Sequence, residues 1–154
     1  MPRVEVIFLF RIKVSDTKTF KDVLNAISAI VDEATFTIDP DGIKLRAMDP
    51  SRVAMVDFEM RKTSFDEYEV KETSKVCVNL SELLKLLKRS GKEDIIELSL
   101  DEETGQFLVK IIGRYTRTFT MPVLEASEEE IPESKITFNA KVTLTTDDLN
   151  ETLK

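Results

Sequence analysis

Short apolar runs with a two-residue period recur along the sequence, and this pattern limits the possible folds more than any other feature. Two stretches with helical spacing, 17–33 and 80–90, interrupt these strand-like runs. Ser15-Asp16 offers an N-cap to the first stretch and Asn79 offers one to the second. The order strand, helix, several strands, helix, several strands predicts an α+β domain in which two helices pack on antiparallel sheets.

The predicted strands are bounded by turn residues. They lie at 4–14, 34–38, 42–48, 53–60, 74–79, 94–101, 106–113 and 115–121. Asp39-Pro40-Asp41-Gly42 joins two of them as a hairpin, because Pro fixes φ and Gly tolerates positive φ. The segment SFDEY at 64–68 is predicted to be irregular or a single helical turn.

The composition is that of an ordinary globular domain, with 42% hydrophobic and 33% charged residues among 154. This length suffices for one good core. The single cysteine, Cys77, lies in an apolar run and has no disulfide partner, which indicates a small buried side chain and a reducing compartment. No apolar run approaches the roughly 20 residues that a bilayer span needs. We therefore expect a soluble intracellular protein with no membrane partner.

An acidic segment, EASEEEIPE, cannot build a core and indicates a linker. After it, 135–154 begins again as a strand, a polar cap and an incipient helix, and Phe138 and Val142 match Phe10 and Val14 at a constant offset. This similarity indicates an internal repeat of about domain length, whose second copy stops early. We expect a first domain at 1–124, an acidic interdomain connector at 125–135 and the truncated start of a second domain at 136–154.

The formal net charge is −7, which argues against a nucleic-acid partner unless cations cluster locally. The second helix has such a cluster, because its apolar and cationic stripes lie about 140° apart. The apolar stripe is Leu80, Leu83, Leu84 and Leu87, and the cationic one is Lys85, Lys88, Arg89 and Lys92. Lys18 and Lys21 add cations at the start of the first helix. These side chains are either ordinary solvated cations or a phosphate-binding surface that is independent of base sequence, since no aromatic is interleaved.

Enzymatic chemistry has little support in the sequence. There is no histidine, no cysteine cluster and no glycine-rich phosphate loop. Four aspartates, Asp39, Asp41, Asp49 and Asp57, suggest a hard-metal site, but turn formation explains them better. We expect no enzymatic activity, no metal and no cofactor.

Four segments are more specific than the general pattern: RAMDPSRVAMVDFEM at 46–60, NLSELLKLLKRSG at 79–91, VDEATFTI at 31–38 and EEEIPE at 128–133. Together they resemble the N-terminal domain of a DNA sliding clamp of the proliferating-cell nuclear antigen family, closest to its archaeal members. The resemblance implies the clamp fold, with two similar domains per chain and several chains in a ring around duplex DNA. It also implies a cytoplasmic protein if archaeal and a nuclear one if eukaryotic.

The resemblance places the family's basic helical positions on Lys21, Lys85 and Lys88. Asp22 and Ser28 stand where family members often have further cations, so the first helix is expected to be the weaker DNA surface. Our predicted DNA-facing set is Lys18, Lys21, Lys85, Lys88, Arg89 and Lys92.

The resemblance also implies a front-face pocket that binds short peptides with apolar and aromatic anchors. The expected partners are DNA polymerase, flap nuclease, ligase and the clamp loader. The matching positions are Met48, Arg52, Val53, Leu124, Ile131 and Pro132. A flexible thioether and branched aliphatic groups suit varied anchors, and an acidic connector would attract basic flanks. The alternative is that Met48 and Val53 are simply strand core.

In the family the last strand of the first domain pairs with a neighbouring subunit. Here that edge is Tyr115, Thr116, Arg117, Thr118 and Phe119. A full-length chain is expected to form a trimeric ring with other clamp subunits, whereas ring closure is not expected for this truncated chain. The alternative function is a stand-alone clamp-like module that binds clamp subunits or clamp partners without encircling DNA.

Overall fold

The computed structural model describes residues 7–125, 131–132 and 135–154, and shows nine strands in two antiparallel sheets with two helices packed together. The elements are β1 Phe8–Val14, α1 Thr17–Ser28, β2 Glu33–Asp39, β3 Gly42–Met48, β4 Met55–Arg61, a 3-10 turn Lys62–Ser64, β5 Glu67–Val70, β6 Ser74–Asn79, α2 Leu80–Leu87, β7 Ile95–Asp101, β8 Phe107–Ile112, β9 Thr116–Met121 and α3 Thr146–Thr152. The predicted α+β class is confirmed.

Every strand pair in the two sheets is antiparallel. The strand order is β5-β1-β7-β8-β9 in the five-stranded sheet, here called sheet A, and β4-β3-β2-β6 in the four-stranded sheet, here called sheet B. The predicted hairpin is β2–β3, closed where Asp39 pairs with Gly42. Gly42 is required there, because an added Cβ would lie 2.3 Å from the Met60 carbonyl oxygen of β4.

One hydrophobic core joins the helices to both sheets. Phe20 and Leu24 of α1 pack with the inward residues of β1, β2, β6 and β7, and the leucine stripe of α2 completes the cluster. A cavity of about 30 Å³ with only apolar side chains around it lies within this core. The two-residue and helical periods of the sequence therefore correspond to one shared interior.

The helix starts agree with the predicted caps, but both helices end early. The Asp16 carboxylate accepts the Thr19 amide at 3.1 Å, and the Asn79 side chain accepts the Glu82 amide at the same distance. α1 ends at Ser28 instead of continuing to 33, because Glu33 already pairs with Asn79 at the start of β2. After Leu87 the chain makes one further turn, in which the Ser90 amide donates to the Leu87 carbonyl.

The strand β5 is not apparent from the sequence. The segment predicted to be irregular contains the start of Glu67–Val70, which pairs along β1 and forms an edge of sheet A. Four residues are too few to display a periodic signal, and long-range pairing decides the structure. The Tyr68 hydroxyl donates to the Asp39 carbonyl at 2.5 Å and so links β5 to the β2–β3 hairpin. The largest difference in a strand boundary is that β4 begins at Met55 rather than at 53. The predicted strand residues 4–6 lie outside the described residues.

The segment 135–154 contains the predicted helix but not the predicted strand. α3 forms with Thr145 as its N-cap, whose hydroxyl accepts the Asp148 amide at 3.2 Å. Residues 135–144 are not in a strand, because no described strand pairs with them. Phe138 and Val142 are 78% and 80% exposed, so these apolar groups lack the core that a strand pairing would give them.

A buried carboxylate lies on the face of sheet A that is turned away from the core. The Glu97 side chain is 5% exposed and lies 3.5 Å from the Arg11 guanidinium and 3.3 Å from the Lys110 ammonium. Arg11 also contacts Glu67 and Glu69 of β5. This ion-pair network links β5, β1, β7 and β8 across the sheet.

Candidate functional site

The two packed helices form the first candidate surface. The Thr17 hydroxyl donates to the Gly91 carbonyl at 3.2 Å, and the Lys21 ammonium donates to the Ser90 carbonyl at 3.1 Å. The start of α1 therefore lies beside the turn that follows α2. Lys21 of α1 therefore contacts the segment after α2 that carries Lys88 and Lys92.

The cations of α2 are the most available ones in this cluster. Leu80, Leu83, Leu84 and Leu87 are buried, as the two-stripe pattern predicts. Lys85 in α2, and Lys88 and Lys92 in the turn after it, are exposed, and within the described part of the chain their ammonium groups form neither a hydrogen bond nor an ion pair. Their charges are therefore free to bind an external anion.

The cations of α1 already have partners. The Lys18 ammonium lies 2.9 Å from Asp22, and this hydrogen bond raises the pKa of Lys18. Lys21 is partly buried and is held by the Ser90 carbonyl at the end of α2, where a helix dipole favours a cation. The ammonium groups of Lys18 and Lys21 are therefore less available to an external anion than those of Lys85 and Lys88, and the weaker DNA surface on the first helix stays a prediction.

Arg89 lies between two of the predicted surfaces. Its guanidinium carbon is 5.2 Å from the centre of the Phe119 ring of β9, a cation–π contact. Its carbonyl accepts the Arg117 guanidinium at 2.9 Å. Arg89 is exposed, but it packs against β9 instead of standing free beside Lys85 and Lys88.

The predicted subunit edge is an open strand edge within the described residues. β9 pairs with β8 on one side and with no described strand on the other. Thr116, Arg117 and Thr118 are exposed, Phe119 is half-buried, and Tyr115 is 73% exposed with Arg114 over its ring. Such an edge presents unpaired backbone groups to another chain.

The loop between β3 and β4 is organised by one carboxylate. Asp49 accepts the amides of Val53 and Ala54, both at 2.9 Å, and the Ser51 hydroxyl. The Ser51 hydroxyl, together with the two amides, holds the pKa of Asp49 below its usual value. Arg52 has a φ of 60°, a left-handed conformation that this tight loop imposes. Of the two roles that the sequence suggests for Asp49, metal ligand and turn former, the contacts observed are those of a turn former that fixes the loop conformation.

This loop places Val53 in solvent. Val53 is 87% exposed and precedes β4, so it is not a strand-core residue. Met48 is half-buried and pairs with Met55 across β3 and β4. Half-buried and exposed apolar side chains therefore border a loop whose conformation Asp49 fixes, and their role in peptide binding stays a prediction.

The connector and the residue before it, Leu124, meet sheet B at two described points. The Leu124 amide donates to the Cys77 carbonyl of β6 at 2.8 Å, and the Ile131 carbonyl accepts the Arg46 guanidinium of β3 at 3.3 Å. Cys77 is 5% exposed but is absent from the core cluster that contains Val76 and Val78 of the same strand. It is therefore buried on the opposite, outer face of sheet B.

Arg46 is the site residue that sequence analysis missed. Alternation along β3 places it on the face of Met48, which is the only signal that the sequence carries. Pro132, the last predicted pocket residue, is exposed beside Ile131. The predicted pocket residues thus come from the β3–β4 loop and from two connector segments that contact the same sheet.

Two negative findings apply to the described residues. They contain no group of three or more His, Cys, Asp or Glu side chains arranged to hold a metal ion. None of their helices combines the length and the apolar character needed to cross a bilayer.

Comparison with known proteins identifies the family. Residues 9–120 match the family described as "Proliferating cell nuclear antigen, N-terminal domain". The chain belongs to the proliferating cell nuclear antigen family. It is 39% identical over 139 residues to DNA polymerase sliding clamp 1 of Pyrobaculum aerophilum, covering 90% of this chain and 55% of that protein. It is 37% identical over 146 residues to the DNA polymerase sliding clamp of Pyrococcus furiosus, covering 94% of this chain and 58% of that protein.

Solved structures of the family have the same fold. A PCNA2–PCNA3 complex from Sulfolobus tokodaii matches with a TM-score of 0.77 and 36% identity, over 83% of this chain and 52% of that one. PCNA from Thermococcus kodakaraensis matches with a TM-score of 0.78 and 28% identity, over 82% and 51%. This member of the proliferating cell nuclear antigen family spans about half the length of the curated relatives that it matches.

Proposed function

We propose that this chain provides the first domain of a DNA sliding-clamp subunit, which encircles duplex DNA without regard to sequence and tethers replication and repair enzymes. The observation that carries the proposal is the group of exposed lysines in α2 and in the turn after it, Lys85, Lys88 and Lys92, whose ammonium groups have no partner within the described residues. Phosphates of a duplex are the natural anion for such a surface, since contacts to the backbone require cations but no base readout. Membership of the family supports this assignment.

The β3–β4 loop and the connector form the proposed peptide-binding pocket. Val53 is presented by a fixed loop, Met48 lies beside it, and Ile131 reaches the same sheet. The proposed occupants are short motifs of DNA polymerase, flap nuclease, ligase and the clamp loader. The names of the relatives, DNA polymerase sliding clamps, support the first of these partners. In this proposal the chain acts as a binding scaffold and catalyses no reaction.

The open edge of β9 is the proposed contact with another clamp subunit. Its unpaired backbone groups would continue an antiparallel sheet across the subunit boundary. The Sulfolobus structure is a complex of two clamp proteins, which supports clamp subunits as partners of this chain.

A topological assay tests the encircling function. The protein, reconstituted with the clamp subunits and clamp loader of its own organism, is loaded on nicked circular duplex and passed over a sizing column. We expect it to elute with the circles and to be lost when a restriction enzyme linearises them, because an encircling ring slides off a free end. Retention that linearisation leaves unchanged would contradict encirclement and favour the stand-alone interaction module.

A further inference from the structure

One arginine connects sheet B to the connector. Arg46 and Asp57 are opposite each other in the β3–β4 ladder, and the Arg46 Nη2 lies 3.5 Å from an Asp57 carboxylate oxygen. The other terminal nitrogen, Nη1, donates to the Ile131 carbonyl at 3.3 Å. A single guanidinium therefore bridges a residue of the sheet and a residue 85 positions later in the chain.

The bridge depends on the shape of the arginine head. A guanidinium presents its donors in a rigid planar fork, so that one nitrogen can hold a carboxylate while another holds a carbonyl. The Arg46 Nε is buried and has no hydrogen-bond partner within the described residues, so the two terminal nitrogens make the contacts that orient the head. A lysine ammonium is a single point and lacks this fixed two-pronged geometry.

The Arg46 contact is the second of two described anchors for the connector. The first is the backbone bond between Leu124 and Cys77 on β6, and the second lies on β3, two strands away in the order of sheet B. Both Arg46 and Asp57 are partly exposed, so their ion pair contributes little to global stability. The contact is suited to setting the position of Ile131 instead.

We propose that Arg46, oriented by Asp57, is a positioning residue that holds Ile131 of the connector against β3 and thereby sets the width of the peptide pocket beside Met48. This inference rests on the proposed pocket. It adds a residue that acts on the bound peptide through the connector and not by direct contact with the peptide's apolar and aromatic anchors. Binding should respond to Arg46 through the connector, because a displaced Ile131 leaves its side of the pocket without a fixed wall.

Two variants and one control test the assignment. Arg46→Met keeps an unbranched apolar stem but removes the fork, and Arg46→Lys keeps the charge but not the two-pronged geometry. The matched control is Lys44→Gln, which removes a cation from the same face of the same strand, where it pairs with Asp39 at 2.9 Å instead of with the connector. Urea unfolding of all four proteins verifies that each remains folded.

The first measurement is cleavage of the connector by a glutamate-specific protease, followed by mass spectrometry. The connector sequence contains five glutamates as cleavage positions: Glu125, Glu128, Glu129, Glu130 and Glu133. Cleavage tracks the population of released connector when release is fast. We expect connector cleavage to be about fivefold to tenfold faster in Arg46→Met, because this variant loses one charge-assisted hydrogen bond. The increase should be smaller in Arg46→Lys and absent in Lys44→Gln.

The second measurement is the affinity of a fluorescein-labelled synthetic peptide with aliphatic and aromatic anchors, by anisotropy and stopped flow. We expect Arg46→Met to weaken binding about threefold to tenfold, chiefly through faster dissociation. Arg46→Lys should lie between this variant and the wild type, and Lys44→Gln should match the wild type.

The two measurements separate the inference from the proposal beneath it. Wild-type cleavage rates in Arg46→Met would overturn the positioning role, whether or not the peptide binds. Faster cleavage with unchanged peptide affinity would overturn the role in setting the pocket. A wild-type protein that binds no peptide would refute the proposed pocket, while the cleavage rates would still decide whether Arg46 holds the connector.

Discussion

Neutralising Lys85 and Lys88 should reduce the salt dependence of DNA binding by a calculable amount. Each lysine that contacts a duplex phosphate contributes about 0.9 to the slope of log affinity against log salt concentration. Both side chains are exposed and lack partners within the described residues, so neither has to break an internal contact to reach a phosphate. The double variant Lys85→Gln, Lys88→Gln should therefore lower the magnitude of the slope by about 1.8.

This change in slope corresponds to a measurable loss of affinity. Over a fourfold rise in salt, from about 50 to about 200 mM, the wild type should lose about tenfold more affinity than the double variant loses. Fluorescence anisotropy of a labelled duplex, titrated with protein at several salt concentrations, gives the slope. Charge reversal to Glu at both positions should weaken binding further at low salt.

A charge-matched control isolates the helix surface from the change in net charge. Lys62 and Lys75 are exposed but lie on the 3-10 turn and on β6, so replacing both by Gln alters the total charge equally. This control should leave the slope nearly unchanged. Neutralising Lys18 and Lys21 should have an intermediate effect, because each must first leave a partner. A wild-type slope in the α2 variant, or an equal reduction in the control, would refute the assignment of the duplex to this face.

Three further predictions concern the scaffold and the connector. Burial raises the pKa of Tyr68 to about 12, so the stability that the protonated hydroxyl contributes should be complete below about pH 10 and be lost as the pH rises through 12. In Tyr68→Phe this loss should be absent, and the free energy of unfolding at pH 7, measured by urea denaturation, should be about 1 kcal/mol lower. Glu97→Gln should lower the free energy of unfolding by about 1–3 kcal/mol, because it leaves two cations against an uncharged buried group. Glu69 is 70% exposed, so Glu69→Gln should change the free energy of unfolding by less than about 0.5 kcal/mol. Leu124→Pro deletes the amide that bonds β6 and should increase the rate of Cys77 thiol labelling; an unchanged rate would show that this anchor does not cover the thiol.

Local chemistry made most of the fold predictable. The caps Asp16 and Asn79 and the Asp39-to-Gly42 turn act within a few residues, so the sequence alone displays them. The end of α1 and the existence of β5 were not predictable, because both follow from pairing with distant strands. The strand predicted in 135–144 is absent because a strand also depends on long-range pairing, and the apolar residues of this segment have no described strand to pair with.

The same distinction between short-range and long-range contacts applies to the candidate site. Lys85 and Lys88 could be placed on an exposed face because helical geometry fixes side-chain direction over a few residues. Arg46 could not be assigned, because its contact joins it to Ile131 across a long stretch of sequence. Val53 was open to two interpretations, and the loop that the carboxylate of Asp49 closes excludes the strand-core one, while the pocket role stays a prediction.

A net charge of −7 is compatible with the proposed DNA-binding face, because a charge that is paired with an opposite charge inside the protein attracts an external anion or cation only weakly. The unpaired charges at a surface, and not the total charge, therefore determine what that surface binds. On sheet A, three cations pair with three carboxylates, so their fields largely cancel at a distance; the cations are Arg11, Lys13 and Lys110, and the carboxylates are Glu67, Glu69 and Glu97. On α2, Lys85 and Lys88 have no such counter-charge among the described residues. At physiological ionic strength the screening length is about 8 Å, while packed layers of secondary structure are about 10 Å apart. A phosphate at the helix surface therefore experiences mainly the lysines nearest to it, and the excess of acidic residues elsewhere acts on it only weakly.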